Sequence, residues 1–105
     1  MELYYYVYIL YSEQHDKYYI GYTSNPSARL EVHNTVEGKN TYTSKYRPWR
    51  MEALFSCGRD KQLAIKTERW IKRQKSRKLL QRLIDNTIAL EGMMAQLVRV
   101  PHERD

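Results

Sequence analysis

The sequence has little cysteine, little phenylalanine and no long apolar run. Cys57 is the one cysteine among 105 residues, so the chain cannot form an internal disulfide, and a cross-linked secreted scaffold is excluded. No apolar stretch approaches the roughly 20 residues that a membrane-spanning helix needs. We therefore expect a single cytoplasmic domain with no membrane partner, large enough to bury a core without a metal or a disulfide.

Acidic residues are scarce between residues 59 and 82. This segment holds ten Lys or Arg against Asp60 and Glu68, a local net charge of +8 in a chain whose formal charge is +6. Such a charge density attracts polyanions, most often nucleic acid. The alternative is a solvated helix face, but such a face normally carries more intrahelical acid–base pairs. The pattern favours an anion-binding surface.

Tyrosine is abundant and unevenly placed, since eight of the ten tyrosines lie in the first 22 residues. Aromatic side chains suit pleated surfaces, so a pair of strands accounts for the cluster. A surface that meets a polar partner accounts for it equally well. Composition alone leaves both interpretations open.

The first half of the chain predicts a hairpin followed by a helix. Aromatic and β-branched runs at 4–11 and 17–22 flank a polar turn. Pro26 suits a first helical position, and Gly38 suits the end of that helix. Three apolar residues at four-residue spacing predict its buried stripe, and these are Ala28, Val32 and Val36. Residues 39–48 predict a polar loop.

The second half predicts a strand and two helices. In the strand over 49–57, alternation places Trp49, Met51, Ala53 and Phe55 on one face, with Leu54 as the exception. Asp60 and Ser76 suit the N-caps of the two helices. The first of them has a stripe of core residues, namely Leu63, Ala64, Thr67 and Ile71.

These elements predict an α+β domain in the order β-β-α-β-α-α, with a small three-stranded antiparallel sheet and helices packed on it. The domain should cover residues 1–85. Residues 86–105 differ in character, because they carry two basic and three acidic residues and their apolar residues lack a strong period. We expect them to form a non-functional or loosely ordered tail.

Five features in order resemble the GIY-YIG endonucleases, in particular small bacterial members related to the UvrC nuclease module. The resemblance covers residues 4–84 and departs from the motif in its first triad, which lacks glycine and has valine for isoleucine. The features are Tyr6-Val7-Tyr8, Tyr19-Ile20-Gly21, Thr23, Arg29-Leu30-x-x-His33 and Glu68. The resemblance implies a catalytic set of Tyr8, Tyr19, Arg29, His33 and Glu68.

The chemistry of these side chains agrees with phosphodiester hydrolysis. Tyr8 or Tyr19 can take a proton from water if nearby cations acidify a phenol whose ordinary pKa is about 10. Arg29 offers a planar fork for phosphate oxygens, unless it pairs with Glu31 or Glu37 instead. His33 lies one turn further along the helix and either positions water or is a bystander on the helix surface.

Glu68 is a lone carboxylate in a basic segment. It either pairs with Lys72, four residues on, or holds one hard cation, Mg²⁺ or Mn²⁺, with waters and phosphate as the remaining ligands. No second carboxylate lies at a convincing spacing, so a two-metal site is not expected. The single-metal arrangement is what the resemblance implies.

The resulting hypothesis is a divalent-metal-dependent DNA endonuclease of repair or recombination. Side chains predicted to contact the DNA backbone are Lys45, Lys72, Lys75 and Arg77. RNA stays open as a substrate, as does a repair-protein partner. The main rival is a non-catalytic nucleic-acid-binding module on the same scaffold, and an adaptor protein is a third class.

Overall fold

The computed structural model describes residues 3–35 and 41–101. An antiparallel sheet has the strand order β2-β1-β3-β4, with β1 (Tyr6–Ser12), β2 (Lys17–Thr23), β3 (Arg50–Ser56) and β4 (Val98–Arg99). The helices are α1 (Pro26–Thr35), α2 (Thr41–Lys45), α3 (Lys61–Gln74) and α4 (Arg77–Asp85), followed by a 3₁₀ helix (Gly92–Gln96). The predicted α+β class is confirmed, although the sheet has four strands where three were expected.

Strand β1 lies inside the sheet and is covered on both faces. Val7 and Ile9 point into a core shared with α3 and α4, whereas Tyr8 and Leu10 point into a smaller cluster with Trp49. All four β1 residues are at most 1% exposed. A strand buried on both faces needs apolar or aromatic residues at every position. This explains why the first tyrosine-rich run does not alternate with polar residues.

A β-bulge in β3 corrects the predicted alternation of that strand. Ile9 of β1 is opposite Ala53, but Leu10 is opposite Met51, so Glu52 is the extra residue. The bulge puts Met51 on the same face as Leu54, whereas Ala53 faces the other core. The apparent exception at Leu54 therefore follows from the bulge, and the single face predicted for the whole strand is wrong.

Helix α1 begins at Pro26 as predicted, but its buried face is different. Ala28 is exposed, whereas His33 is buried and Leu30 packs near Tyr8 and Trp49. Asn34 fixes the helix to the start of β3, because its side chain both donates to and accepts from the Trp49 backbone. The predicted positions of Val36 and Gly38 lie outside the described residues.

The polar segment predicted as a loop over 39–48 contains a short helix. Its described part forms α2 over Thr41–Lys45. The Trp49 indole N–H donates to the Thr43 carbonyl at 2.8 Å, which attaches α2 to the start of β3. A tertiary contact of this kind stabilises one helical turn that local sequence does not indicate.

Helices α3 and α4 agree with the sequence prediction. Asp60 and Ser76 cap them by accepting from the backbone N–H groups of Leu63 and Leu79. The predicted core stripe of α3 is buried in full. Within residues 3–35 and 41–101, no helix has both the length and the apolar character needed to cross a membrane.

Residues 86–105 were expected to form a non-functional or loosely ordered tail, yet the described part, 86–101, packs on the domain. Met94 and Leu97 are buried in the main core, and β4 pairs with β3. Arg99 donates to the carbonyls of Leu83 and Ile84 at 2.6 and 2.9 Å. Because these carbonyls lie in the last turn of α4, Arg99 caps the C-terminal end of the helix, where Leu83 also accepts from the Asn86 N–H at 3.3 Å.

We expect Arg99→Ala to lower the free energy of unfolding by about 2 kcal/mol, since two charge-assisted hydrogen bonds are lost. Urea denaturation followed by circular dichroism measures this. Arg82→Ala is the matched control, because Arg82 is an exposed cation on α4. Equal loss in the two variants would show that Arg99 does not act as a cap.

Candidate active site

A polar cavity of about 310 Å³ brings together side chains from four elements. Strand β1 supplies Tyr8, β2 supplies Tyr19, α1 supplies Arg29 and α3 supplies Glu68. The complete lining is Tyr8, Tyr19, Gly21, Tyr22, Thr23, Arg29 and Glu68. Four of the five predicted catalytic side chains therefore share one cavity, although they are up to 60 positions apart in the sequence.

Gly21 makes room for the ring of Tyr8. The two residues are directly opposite each other in the β1–β2 register. A Cβ atom at position 21 would lie 2.5 Å from Tyr8 Cζ and would also collide with the phenol oxygen. Any other residue would displace the Tyr8 ring, so glycine here is a requirement of the cavity rather than of the backbone conformation.

His33 lies behind Tyr8 rather than on the lining of the cavity. Its Nε2 is 2.8 Å from the Tyr8 hydroxyl, and the His33 side chain is 2% exposed. Burial, reinforced by the charge of Arg29, lowers the pKa of His33 to about 4. The imidazole is therefore neutral near pH 7. This buried contact replaces the surface position that helix spacing predicted.

Burial also raises the pKa of Tyr8 to about 12, despite an opposing hydrogen bond from Arg29. Tyr8 is consequently a protonated phenol at neutral pH. The sequence hypothesis required cations to acidify a tyrosine, and around Tyr8 the desolvation effect outweighs them. If Tyr8 removes a proton, it needs an acceptor for its own.

Arg29 and Glu68 are opposite charges on the lining of the same cavity. Among the described residues Arg29 forms no ion pair with Glu31, and Glu37 lies outside them. Glu68 pairs with Lys72 at 3.5 Å, and its side chain is 15% exposed. The Glu68–Lys72 pairing expected from helix spacing is therefore present, and Arg29 faces the cavity without a carboxylate partner in the described chain.

The donor set of the cavity fits one hard cation. Glu68 is the carboxylate on its lining, and no cluster of three His, Cys, Asp or Glu side chains occurs within residues 3–35 and 41–101. Mg²⁺ is commonly held by one or two carboxylates together with waters and substrate phosphate. Glu68 would be the protein ligand, and its Oε1 already contacts Lys72 at 3.5 Å.

A second, more open groove of about 400 Å³ shares Tyr19 with the cavity. Lys72, Lys75 and Arg77 line it, as do Tyr18 and the exposed ring of Tyr42. Lys72 lies over the Tyr19 ring at 5.2 Å. Three of the four predicted DNA-contacting cations therefore lie next to the cavity. Lys45 is not on this lining and lies over Tyr46.

Arg77 also has a structural role. Its guanidinium donates to the Asp16 carboxylate at 2.7 Å and to the Asp16 carbonyl at 2.8 Å, which fixes the β1–β2 turn to the start of α4. This contact lowers the pKa of Asp16. Lys72 and Lys75 are therefore the better-placed cations for a ligand in the groove.

The sequence profile described as the GIY-YIG catalytic domain matches residues 4–81. The chain belongs to the GIY-YIG family. The predictions of family and enzyme class are thereby confirmed, because the matched unit is the family's catalytic domain. The narrower resemblance to bacterial and UvrC-type members stays a prediction.

Two curated relatives carry the same description of activity. A structure-specific endonuclease subunit SLX1 from Podospora anserina is 46% identical over 68 residues, covering 61% of this chain and 20% of the relative. A structure-specific endonuclease subunit SLX1 homolog from Giardia intestinalis is 40% identical over 58 residues, covering 54% and 16%. The chain thus matches a fifth or less of the length of these relatives.

Sequence reasoning missed the contributions of Gly21, Tyr22 and Tyr42 to these surfaces. Gly21 was named only as a member of the Tyr19-Ile20-Gly21 motif, and Tyr42 lay in the segment predicted to be a loop. A usable signal existed for Gly21, because hairpin pairing places it opposite Tyr8, where a large side chain needs space. Tyr42 depends on the unforeseen helix α2.

Between pH 7 and pH 4.5, we expect the free energy of unfolding of the wild type to fall by about 2 kcal/mol more than that of the His33→Gln variant. The folded-state pKa of His33 is about 4, below its ordinary 6.5. As the pH falls, the unfolded chain therefore takes up the proton first. The contribution of His33 to the free energy of unfolding is full above pH 6.5 and is lost as the pH falls towards 4. Urea denaturation at both pH values measures it. Parallel losses in the two proteins would refute a buried neutral His33.

Proposed function

We propose that this chain is a divalent-metal-dependent endonuclease that hydrolyses DNA phosphodiester bonds. The main support for this proposal is that one polar cavity of about 310 Å³ is lined by Tyr8, Tyr19, Arg29 and Glu68. A binding module needs cations, but it has no need of a carboxylate beside a guanidinium and two phenols. The same residues are those that the family resemblance implies.

Arg29 is the proposed phosphate ligand. Its guanidinium carries a permanent charge and can bind two phosphate oxygens at once. Charge that accumulates on the phosphoryl oxygens during hydrolysis strengthens this interaction, so Arg29 stabilises the transition state more than the bound substrate. Its placement without a described carboxylate partner leaves the guanidinium available for this role.

Tyr8 and His33 form the proposed proton path. With His33 protonated at Nδ1, the Tyr8 hydroxyl donates to Nε2 across 2.8 Å. As water attacks phosphorus, its proton moves to the Tyr8 oxygen while the Tyr8 proton moves to His33. The phenol stays neutral throughout, which suits a group whose pKa is about 12. Tyr8 transmits the proton and His33 accepts it; because the pKa of His33 is about 4, the imidazole gives the proton up again once the bond is broken.

Glu68 is the proposed ligand of one Mg²⁺ or Mn²⁺ ion. Such an ion, when bound, would supply positive charge at the phosphate and near the leaving oxygen. The Tyr19 ring lies between Tyr8 and Lys72. Its centroid is 6.4 Å from the centroid of the Tyr8 ring and 5.2 Å from the Lys72 ammonium. We assign to its hydroxyl the orientation of the attacking water.

The proposed substrate is branched or otherwise irregular DNA. The proposed role is in repair or recombination, and the proposed location is the cytoplasm. Support comes from the relatives, which are described as structure-specific endonuclease subunits. Because these relatives are described as subunits, they also support a protein partner. The basic, tyrosine-lined groove beside the cavity suits the backbone and bases of a strand leaving it. RNA is the comparison substrate, because phosphate contacts alone do not distinguish it.

We expect Glu68→Gln and Arg29→Ala each to lower the rate of plasmid or branched-DNA nicking by at least about 100-fold. Chelation of divalent ions should abolish nicking by the wild type, and Mg²⁺ or Mn²⁺ should restore it. Arg29→Lys should recover only part of the rate, because lysine lacks the planar fork. Gel electrophoresis of nicked products over time gives each rate.

Glu31→Gln is the matched control for Glu68→Gln, since Glu31 is an exposed carboxylate on α1. It should nick at the wild-type rate. If Glu68→Gln is as active as Glu31→Gln, or if chelation has no effect, the metal-dependent nuclease is wrong. Binding of DNA by the wild type without any cleavage would favour the non-catalytic module.

Tyr8→Phe and His33→Gln should reduce the nicking rate by similar factors, and the double variant should be no slower than either. Groups that pass one proton between them act as a unit, so their losses do not multiply. Tyr11→Phe, which alters a tyrosine outside the cavity, should retain the wild-type rate. Multiplied losses in the double variant would show that Tyr8 and His33 act independently.

A further inference from the structure

The outer face of α3 carries a second set of cations, separate from those beside the cavity. Lys66, Arg69 and Arg73 lie along one side of the helix and are exposed. With about 100° per residue, they project roughly 100° to 160° around the helix axis from Glu68, whereas Lys72 projects within about 40° of it. We call Lys66, Arg69 and Arg73 the outer basic face.

The outer basic face borders a shallow hollow of about 370 Å³ rather than a flat surface. Its lining consists of Lys66, Arg69, Trp70, Arg73 and Met93, with no acidic side chain. Glu91 lines a neighbouring apolar hollow that shares Trp70 and Met93 with this one. The indole and thioether therefore form an apolar floor beneath three positive charges.

These cations lack the carboxylate partners that two other basic residues, one on α3 and one on α4, have in the described chain. Lys72 pairs with Glu68, and Arg77 pairs with Asp16. Lys66, Arg69 and Arg73 form no ion pair within the described parts of the chain. Like charges three and four residues apart also repel one another and disfavour the helix. A face kept only for solubility would not require this concentration of one sign.

We infer that the outer basic face binds the phosphate backbone of a second DNA segment, distinct from the segment held at the cavity. Lys66 and Arg73 are about 10 Å apart along the helix axis, so the face can contact more than one phosphate. Arginine forks suit phosphate oxygens, and the Trp70–Met93 floor suits deoxyribose. This inference rests on the proposed function, because it assigns two arms of one branched molecule to two sides of α3.

The face also explains how a small domain could select branched DNA without reading bases. A linear duplex contacts one of the two basic surfaces at a time. A branched molecule offers two arms and can occupy both surfaces, so the second contact becomes intramolecular and raises the affinity. Preference for a branch then follows from the angle between the two surfaces of α3.

The test compares Arg69→Gln/Arg73→Gln with Lys78→Gln/Arg82→Gln, two pairs of exposed cations at four-residue spacing. Both are built on full-length protein carrying Glu68→Gln, which blocks cutting. Binding to a four-way DNA junction and to a linear duplex of equal base-pair number is measured by fluorescence anisotropy at several salt concentrations. Circular dichroism confirms that each variant is folded.

For Arg69→Gln/Arg73→Gln we expect junction affinity to fall at least tenfold and duplex affinity by less than threefold. The slope of log affinity against log salt should decrease by about 2 for the junction, as expected when two phosphate contacts are lost. Lys78→Gln/Arg82→Gln should keep the junction preference of the parent. Arg69→Lys/Arg73→Lys, which keeps both charges, should retain most of the junction binding.

An unchanged junction preference in Arg69→Gln/Arg73→Gln would overturn the inference, as would equal losses on both DNAs. The first result would identify a solvated face, and the second would identify general attraction to polyanions. Either result leaves the proposed nuclease intact if the parent still binds duplex and the wild type still nicks it. If the wild type neither binds nor nicks DNA, the proposed function fails together with the inference.

Discussion

The candidate site depends on how one aromatic ring is accommodated inside the sheet. Tyr8 lies on an inner strand, directly opposite Gly21, and its ring occupies the space that any side chain at position 21 would need. Its hydroxyl then reaches the buried His33 of α1. One steric constraint therefore fixes the hairpin register, the position of α1 and the rear wall of the cavity. Register slippage by one residue would remove all three.

The two faces of β1 pack into two separate hydrophobic cores. Val7 and Ile9 pack with α3 and α4 in the larger core, whereas Tyr8 and Leu10 pack with Trp49 and Leu30 in the smaller one. The larger core positions α3 and hence Glu68. The smaller core positions α1 and hence Arg29. The cavity lies where both packings meet, so the distance between the guanidinium and the carboxylate depends on the whole sheet.

Local signals in the sequence predicted most of the elements, and long-range contacts account for what they missed. The caps Asp60 and Ser76 act through residues three positions away, so they are readable without a structure. The bulge at Glu52, helix α2 and the packing of Met94 depend on partners far along the chain. The same distinction applies to the site. The family resemblance supplied Tyr8, Arg29 and Glu68, but the burial of His33 required the tertiary fold.

Burial changes the chemical meaning of two residues that the sequence had already singled out. At an exposed position a histidine four residues after Arg29 would titrate near neutral pH and could be charged beside a phosphate. In the fold, desolvation keeps His33 neutral and Tyr8 protonated, so each suits the protonation state that the other requires. A neutral imidazole accepts a proton, and a protonated phenol has one to pass on. In the proposed reaction the positive charge at the phosphate then comes from Arg29 and from the cation assigned to Glu68, so that the neutral pair Tyr8 and His33 lies behind two ionic groups.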